Sequence, residues 1–271
     1  MTTTLAPLPG SPAPAPRGRL VRAVADGWTV TWRNLIAYTR IPQALVFSTI
    51  QPVVLVLLFR YVFGGAIRGT PVPYEDFMIP GVFAQAISFG AVGTAVALAD
   101  DMHKGLIERF RSLPMARSAV LVGRTSAECV RNMFVIALMT LVAFLVGFDY
   151  HAGVLGFLAG ILLLLLFGYA LSWSFTSVGL TAANAEVAQA KTFPILFPLI
   201  FASSAFVPVE TMPGWLQAFA RNQPVSVIID AARALMIGGR TAELVVKALI
   251  WSAVILAVAS AYGVHRYRKA V

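Results

Sequence analysis

The stretch VLGFLAGILLLLLFGYALSWSFTSVGLTA, Val154–Ala182, runs for 29 residues without a charged side chain. A helix needs about 20 apolar residues to cross a hydrocarbon core about 30 Å thick, so this run is a span with length to spare. The surrounding chain obeys the same rule. Further apolar runs cover Gln43–Phe63, Ile79–Ala99, Cys129–Phe148, Phe193–Val207 and Leu244–Tyr262. The fifth span in chain order, Phe193–Val207, is short and contains Pro194 and Pro198, which predicts a bend. The fold class expected is therefore an all-α polytopic membrane protein with six transmembrane helices.

Composition agrees. Of 271 residues, 58% are hydrophobic and 12% charged, where soluble domains carry about 25% charge. The mean hydropathy is +0.79. A single cysteine, Cys129, excludes an intrachain disulfide, and the scattered His103, His151 and His265 form no ligand cluster. No metal site is expected.

The net charge of +9 reads as topology. Fifteen of the 21 Lys and Arg fall in the N-terminal stretch, the loop after the second span, the loop after the fourth and the C-terminus. Six fall on the other side. Basic residues gather on the cytoplasmic face, which predicts a plasma-membrane protein with both termini inside and leaves little for a nucleic-acid partner. Residues 1–16, with five prolines, read as a disordered tail. Residues 17–40 space Leu20, Val24, Trp28, Trp32, Leu35 and Ile36 as one helical face between arginines. That is an amphipathic interfacial helix with Trp at headgroup level; the alternative is a helix packed on the cytoplasmic loop. Residues 41–269 form the transmembrane domain.

All twelve acids fall in loops or at span ends on these boundaries, and Arg60, Arg131 and Lys247 sit near span ends, where long side chains snorkel. No intramembrane proton relay is expected. Nor does any Lys stand in a phosphate-cradling GxxxxGK[ST] loop. Energy for active transport must come from outside the chain, and no catalytic residue is assigned within it. Neutral polar and aromatic residues do enter the spans. Gln51, Phe89, Trp173, Phe175 and Phe206 are candidates for a weakly polar path suited to a lipophilic or amphiphilic substrate, beside the plainer role of helix packing. The Ala91/Ala95/Ala99 and Gly156/Gly160 spacings suit close helix approach.

In the cytoplasmic loop, Leu106, Phe110 and Leu113 line one face of a short helix, with Lys104 and Glu108 four apart and Pro114 as its stop. Such a stripe suits a groove on a soluble partner, or the membrane surface. Further on, Met212–Ala220 and Pro224–Ile237 are apolar but too short to span, and read as a re-entrant or surface hairpin. Thr211 and Asn222 are its candidate N-caps, with Gly238–Gly239 as the stop.

The run DMHKGLIERFRSLP, Asp101–Pro114, resembles the signature after the second span of type-2 ABC transporter permeases, above all the daunorubicin/doxorubicin-resistance branch. SSAFVP, Ser203–Pro208, and MPGW, Met212–Trp215, extend the resemblance. It implies that Lys104, Gly105, Leu106, Glu108, Arg109, Phe110, Arg111 and Pro114 belong to a coupling helix against an ATPase. It also implies an outer gate at Pro208, Met212, Pro213 and Trp215. Two copies of an ATP-binding subunit, with ATP and Mg on that subunit, and a second permease chain, identical or paralogous, are the implied partners. A lipid-linked polysaccharide exporter shares this architecture. A secondary transporter or channel, and an intramembrane enzyme, are the readings from other classes.

Overall fold

The computed structural model describes residues 19–40, 42–67, 69–106 and 119–270. Every regular element among them is helical. α1 is Arg19–Arg40. α2, Pro42–Leu57, runs without a break into π-helical turns over Leu58–Phe63. Then come α3 (Tyr74–His103), α4 (Ala119–Leu145), α5 (Gly153–Thr181) and α6 (Ala185–Phe201). A 3₁₀ turn at Val209–Thr211 leads to α7 (Gly214–Asn222), α8 (Pro224–Ile237) and α9 (Thr241–Ala270).

Among the described residues four helices, α3, α4, α5 and α9, are long and apolar enough to cross a membrane. Among them α3 is the axis of the bundle. It packs on α2, α4, α5, α6 and α8, and its core includes Met78, Ile79, Val82, Phe83 and Ala84, all without exposure. Small residues bring the helices close. Gly179 of α5 lies against the Ala95 carbonyl, so the Ala91/Ala95/Ala99 row is a seam between α3 and α5. Gly156 and Gly160 of α5 face Leu235 and Met236 of α8, so that pair docks the hairpin rather than another span.

Several boundaries differ from those read in the sequence. α4 begins at Ala119, well before Cys129, because its first turns mix polar and apolar residues that an apolar-run search passes over. α6 begins at Ala185, where Asn184 accepts a 2.9 Å hydrogen bond from the Val187 amide; this N-cap was missed. The helix runs through Pro194 and Pro198 and ends at Phe201, so Ser203–Val207 form a turn rather than a span end. Thr211 and Asn222 are not N-caps. Pro213 and Gln223 precede α7 and α8, and Asn222 ends α7 with its amide on the Ala218 carbonyl. Pro224 does stand in the first turn of α8, and Gly238, at φ +106°, ends it.

α1 packs on α4 and keeps its tryptophans outside. Its Val30, Thr31 and Asn34 are buried, Val30 against Gly123 of α4, while Trp28 and Trp32 are exposed and stacked with centroids 6.4 Å apart. One face holds the bundle and the other carries two exposed indoles.

Candidate functional site: a cavity between α2, α3 and α6

One face of α3 presents Gln85, Phe89, Val92, Gly93 and Val96, at the spacing of successive helical turns. Together with Gln51, Pro52 and Leu55 of α2 and Gln189 and Phe193 of α6, they enclose a cavity of about 250 Å³. Phe89 and Phe193 form a tilted aromatic pair with centroids 5.6 Å apart. The polar lining comes from three glutamines and Arg131 of α4. Gln85 is 3% exposed, and its Oε1 has no hydrogen-bond partner among the described residues. Apolar walls with a few convergent polar groups are the make-up of a small-molecule pocket.

The floor carries an ion pair. Glu128 and Arg131 lie inside α4, and Glu128 is wholly buried. At 1.5 Å per residue, Glu128 is about 14 Å along the helix from Ala119 and about 26 Å from Leu145. Arg131, expected to snorkel from a span end, is nine-tenths buried and turns to Glu128 instead. An apolar-run search starts α4 too late, which is why both residues read as a boundary. Arg131 Nε donates to Glu128 Oε1 at 2.8 Å, and Nη2 bonds the same oxygen. Nη2 also reaches Asn132 Oδ1 at 3.1 Å. Tyr38 of α1 donates to Glu128 Oε2 at 2.9 Å. Burial, then the Glu128 charge, holds the phenol above its usual pKa, so it stays a donor. Gly90 and Gly93 of α3 make room: a Cβ at Gly90 would overlap Arg131 Nη2 and Asn132 Oδ1. A buried ion pair persists only when its remaining sites are hydrogen-bonded, and here both carboxylate oxygens are.

A second polar knot pins the hairpin. Arg233 of α8 donates to the Phe77 carbonyl at 3.0 Å, the Ser204 carbonyl at 2.7 Å and Asp230 Oδ1 at 2.8 Å. Its guanidinium lies 3.8 Å from the Phe77 ring centroid. Ser204 Oγ donates to Asp230, and Tyr74 donates to the Phe206 carbonyl. Gly81 of α3 lets the Ala205 backbone approach.

The five path candidates separate. Gln51 and Phe89 line the cavity. Phe206 is buried at the opposite end of α2, stacked on Phe59 at 4.4 Å beside the Arg233 knot. Trp173 is buried with Leu98, Leu121 and Tyr267 in a separate cluster, and Phe175 is buried in the main core. Of the gate residues, Pro208 is buried, Met212 half-buried, and Pro213 and Trp215 exposed. In the coupling segment, Glu108, Arg109, Phe110, Arg111 and Pro114 lie outside the described residues. Lys104 caps α3 and pairs with Asp100 at 2.6 Å, which raises its ammonium pKa. Gly105 turns the chain at φ +67°. Lys104 therefore closes α3. Arg131, Gln85 and Gln189 were absent from the candidates. An i, i+3 Glu–Arg pair in a mostly apolar helix was the signal that could have found Arg131.

The ABC-2 type transporter family profile matches residues 26–237, which takes in most of α1, all of α2 to α8 and every residue of the cavity. The chain belongs to the ABC-2 type transporter family. It is a membrane permease. It is 36% identical over 222 residues to the daunorubicin resistance ABC transporter permease protein DrrB1 of Streptomyces coeruleorubidus, covering 81% of this chain and 78% of that one. It is 28% identical over 250 residues to the probable doxorubicin resistance permease DrrC of Mycobacterium tuberculosis, covering 91% and 90%. A putative transport permease, ycf38 of Pyropia yezoensis, is 26% identical over 215 residues.

Proposed function

We propose that this ABC-2 permease carries drug-like aromatic amphiphiles outward through the cavity between α2, α3 and α6. The observation that carries the reading is the cavity itself: apolar and aromatic walls, three amides and one guanidinium, in about 250 Å³. That volume is near the lower end for ligand sites and suits a compact molecule better than a polymer, which favours drug export over polysaccharide export. The names of the relatives support the same substrate class.

Exposed apolar faces flank the cavity: Ile50, Val54 and Leu57 on α2, and Ile195, Phe197 and Phe201 on α6. A second permease chain pairing on these faces would join two cavities into one path. α2 and α6 complete six spans in this reading, and the basic bias supports a plasma-membrane protein with both termini in the cytoplasm. α7 and α8 then lie at the outer surface as the gate, with α8 held by Arg233. Power comes from two copies of a separate ATPase, with ATP and Mg bound there, docked on the segment 104–114. Ion-driven transport would draw on a buried charge, and the Glu128–Arg131 pair is one; family membership favours the ATPase. Leu55→Trp, which fills the cavity from α2, is the test. It should abolish efflux with the complex intact, and undiminished efflux would overturn this path.

A further inference from the structure

Arg131 is bound on one side only. Nε and Nη2 are committed to Glu128 and Asn132, both on the same helix. Nη1 has no hydrogen-bond partner among the described residues, and it is not one of the walled-in, unpartnered atoms such as Gln85 Oε1. The side chain is nine-tenths buried, and Arg131 is one of the residues that line the cavity. A guanidinium fixed on one edge by a carboxylate and left open on the other is a preorganised donor, because no rearrangement is needed before it bonds an incoming acceptor.

The charge balance decides what acceptor it takes. Glu128 already neutralises Arg131, and Glu128 is itself wholly buried. A carboxylate ligand would leave a net negative charge in this low-dielectric floor, which is costly. A second cation would face a guanidinium donor. A neutral carbonyl oxygen meets neither penalty, and it gives the open edge of the guanidinium an acceptor. The Phe89–Phe193 pair above the floor favours a flat ring system joined to that carbonyl.

We propose that Arg131 Nη1 is a specificity-determining donor that selects aromatic ligands bearing a neutral carbonyl oxygen, such as a ketone, ester or amide. This rests on the cavity being the substrate path, as proposed above.

The test uses 9-fluorenone and fluorene, which share one ring skeleton and differ in the carbonyl. Both are titrated against the full chain with its ATPase partner in lipid nanodiscs. A hydrogen bond from a charged donor is worth about tenfold or more in affinity, so fluorenone should bind about tenfold more tightly. The carbonyl stretch of the bound ketone should move to lower frequency than in lipid alone. The double variant Glu128→Gln/Arg131→Gln removes both charges together, leaving no orphan. It should bring fluorenone down to the affinity of fluorene and abolish the infrared shift. A wild-type protein that binds both equally, with binding lost on Leu55→Trp, keeps the cavity and overturns the role of Arg131. So does an unshifted carbonyl stretch in the wild type, whatever the double variant does. Binding of neither ligand overturns the cavity as the path, and this inference with it.

Discussion

The hydroxyl of Tyr38 donates a 2.9 Å hydrogen bond to Oε2 of Glu128, tying α1 to a buried carboxylate in α4. Through Glu128 the same link holds Arg131, which lines the cavity. Helix α1 and the floor of the cavity therefore share one network, in which each member completes the hydrogen bonding of the next.

That network predicts a non-additive mutant cycle. Arg131→Ala leaves Glu128 buried without its counter-charge and should cost about 3–5 kcal/mol. Glu128→Gln/Arg131→Gln should cost distinctly less, because neither charge remains. Tyr38→Phe should cost about 1–3 kcal/mol, from one unmade bond to a buried charge. Thermal unfolding of the purified permease in detergent would rank the three, and additive losses would show that the pair is not coupled.

The glycines of α3 should differ sharply from those at the surface. At Gly81 a Cβ would overlap the Ala205 carbonyl oxygen, and at Gly90 it would overlap Arg131 and Asn132. At Gly214 it would meet open space. Gly81→Ala and Gly90→Ala should each lose about 1–3 kcal/mol through overpacking, and Gly214→Ala should change stability by less than about 0.5 kcal/mol. Melting temperatures of the three variants check this directly.

Arg233 should act as a latch on the outer hairpin. It bonds two backbone carbonyls from different elements and Asp230 at once. Arg233→Met keeps much of the length and removes all three bonds, so amide exchange at residues 202–207 and along α8 should accelerate at least tenfold. Exchange in α4 should not move. Uniform acceleration would indicate global destabilisation in place of a local latch.

Much of this architecture was legible in advance, and the failures have one physical origin. The four long helices, α1 and the paired helices α7 and α8 all announce themselves by length and amphipathicity. Runs of apolar residues locate the middle of a span and not its ends, so α4 was read as starting about ten residues late and α6 about eight. Those errors moved Glu128 and Arg131 to a boundary and hid the site. Gln51 and Phe89 were picked by polarity and aromaticity, but so was Trp173, which is buried elsewhere. Side-chain type does not reveal which helix face meets a cavity and which meets a neighbour.

Coupling to the ATPase should be separable from folding. Glu108→Lys and Arg109→Glu reverse charges in the segment expected to dock the motor subunit. Membrane insertion should be retained, while substrate-stimulated ATP hydrolysis by the complex should fall at least tenfold. Unchanged transport in both variants would place the docking surface elsewhere.

This chain should work as a permease without a motor of its own. Proteoliposomes containing the chain alone, the ATPase subunit alone, and the two together should be assayed for ATP-driven movement of an aromatic drug. Transport is predicted only from the pair, with no ATP hydrolysis by the permease alone. ATP hydrolysis by the purified permease, or ATP-independent uphill transport driven by an ion gradient, would contradict it.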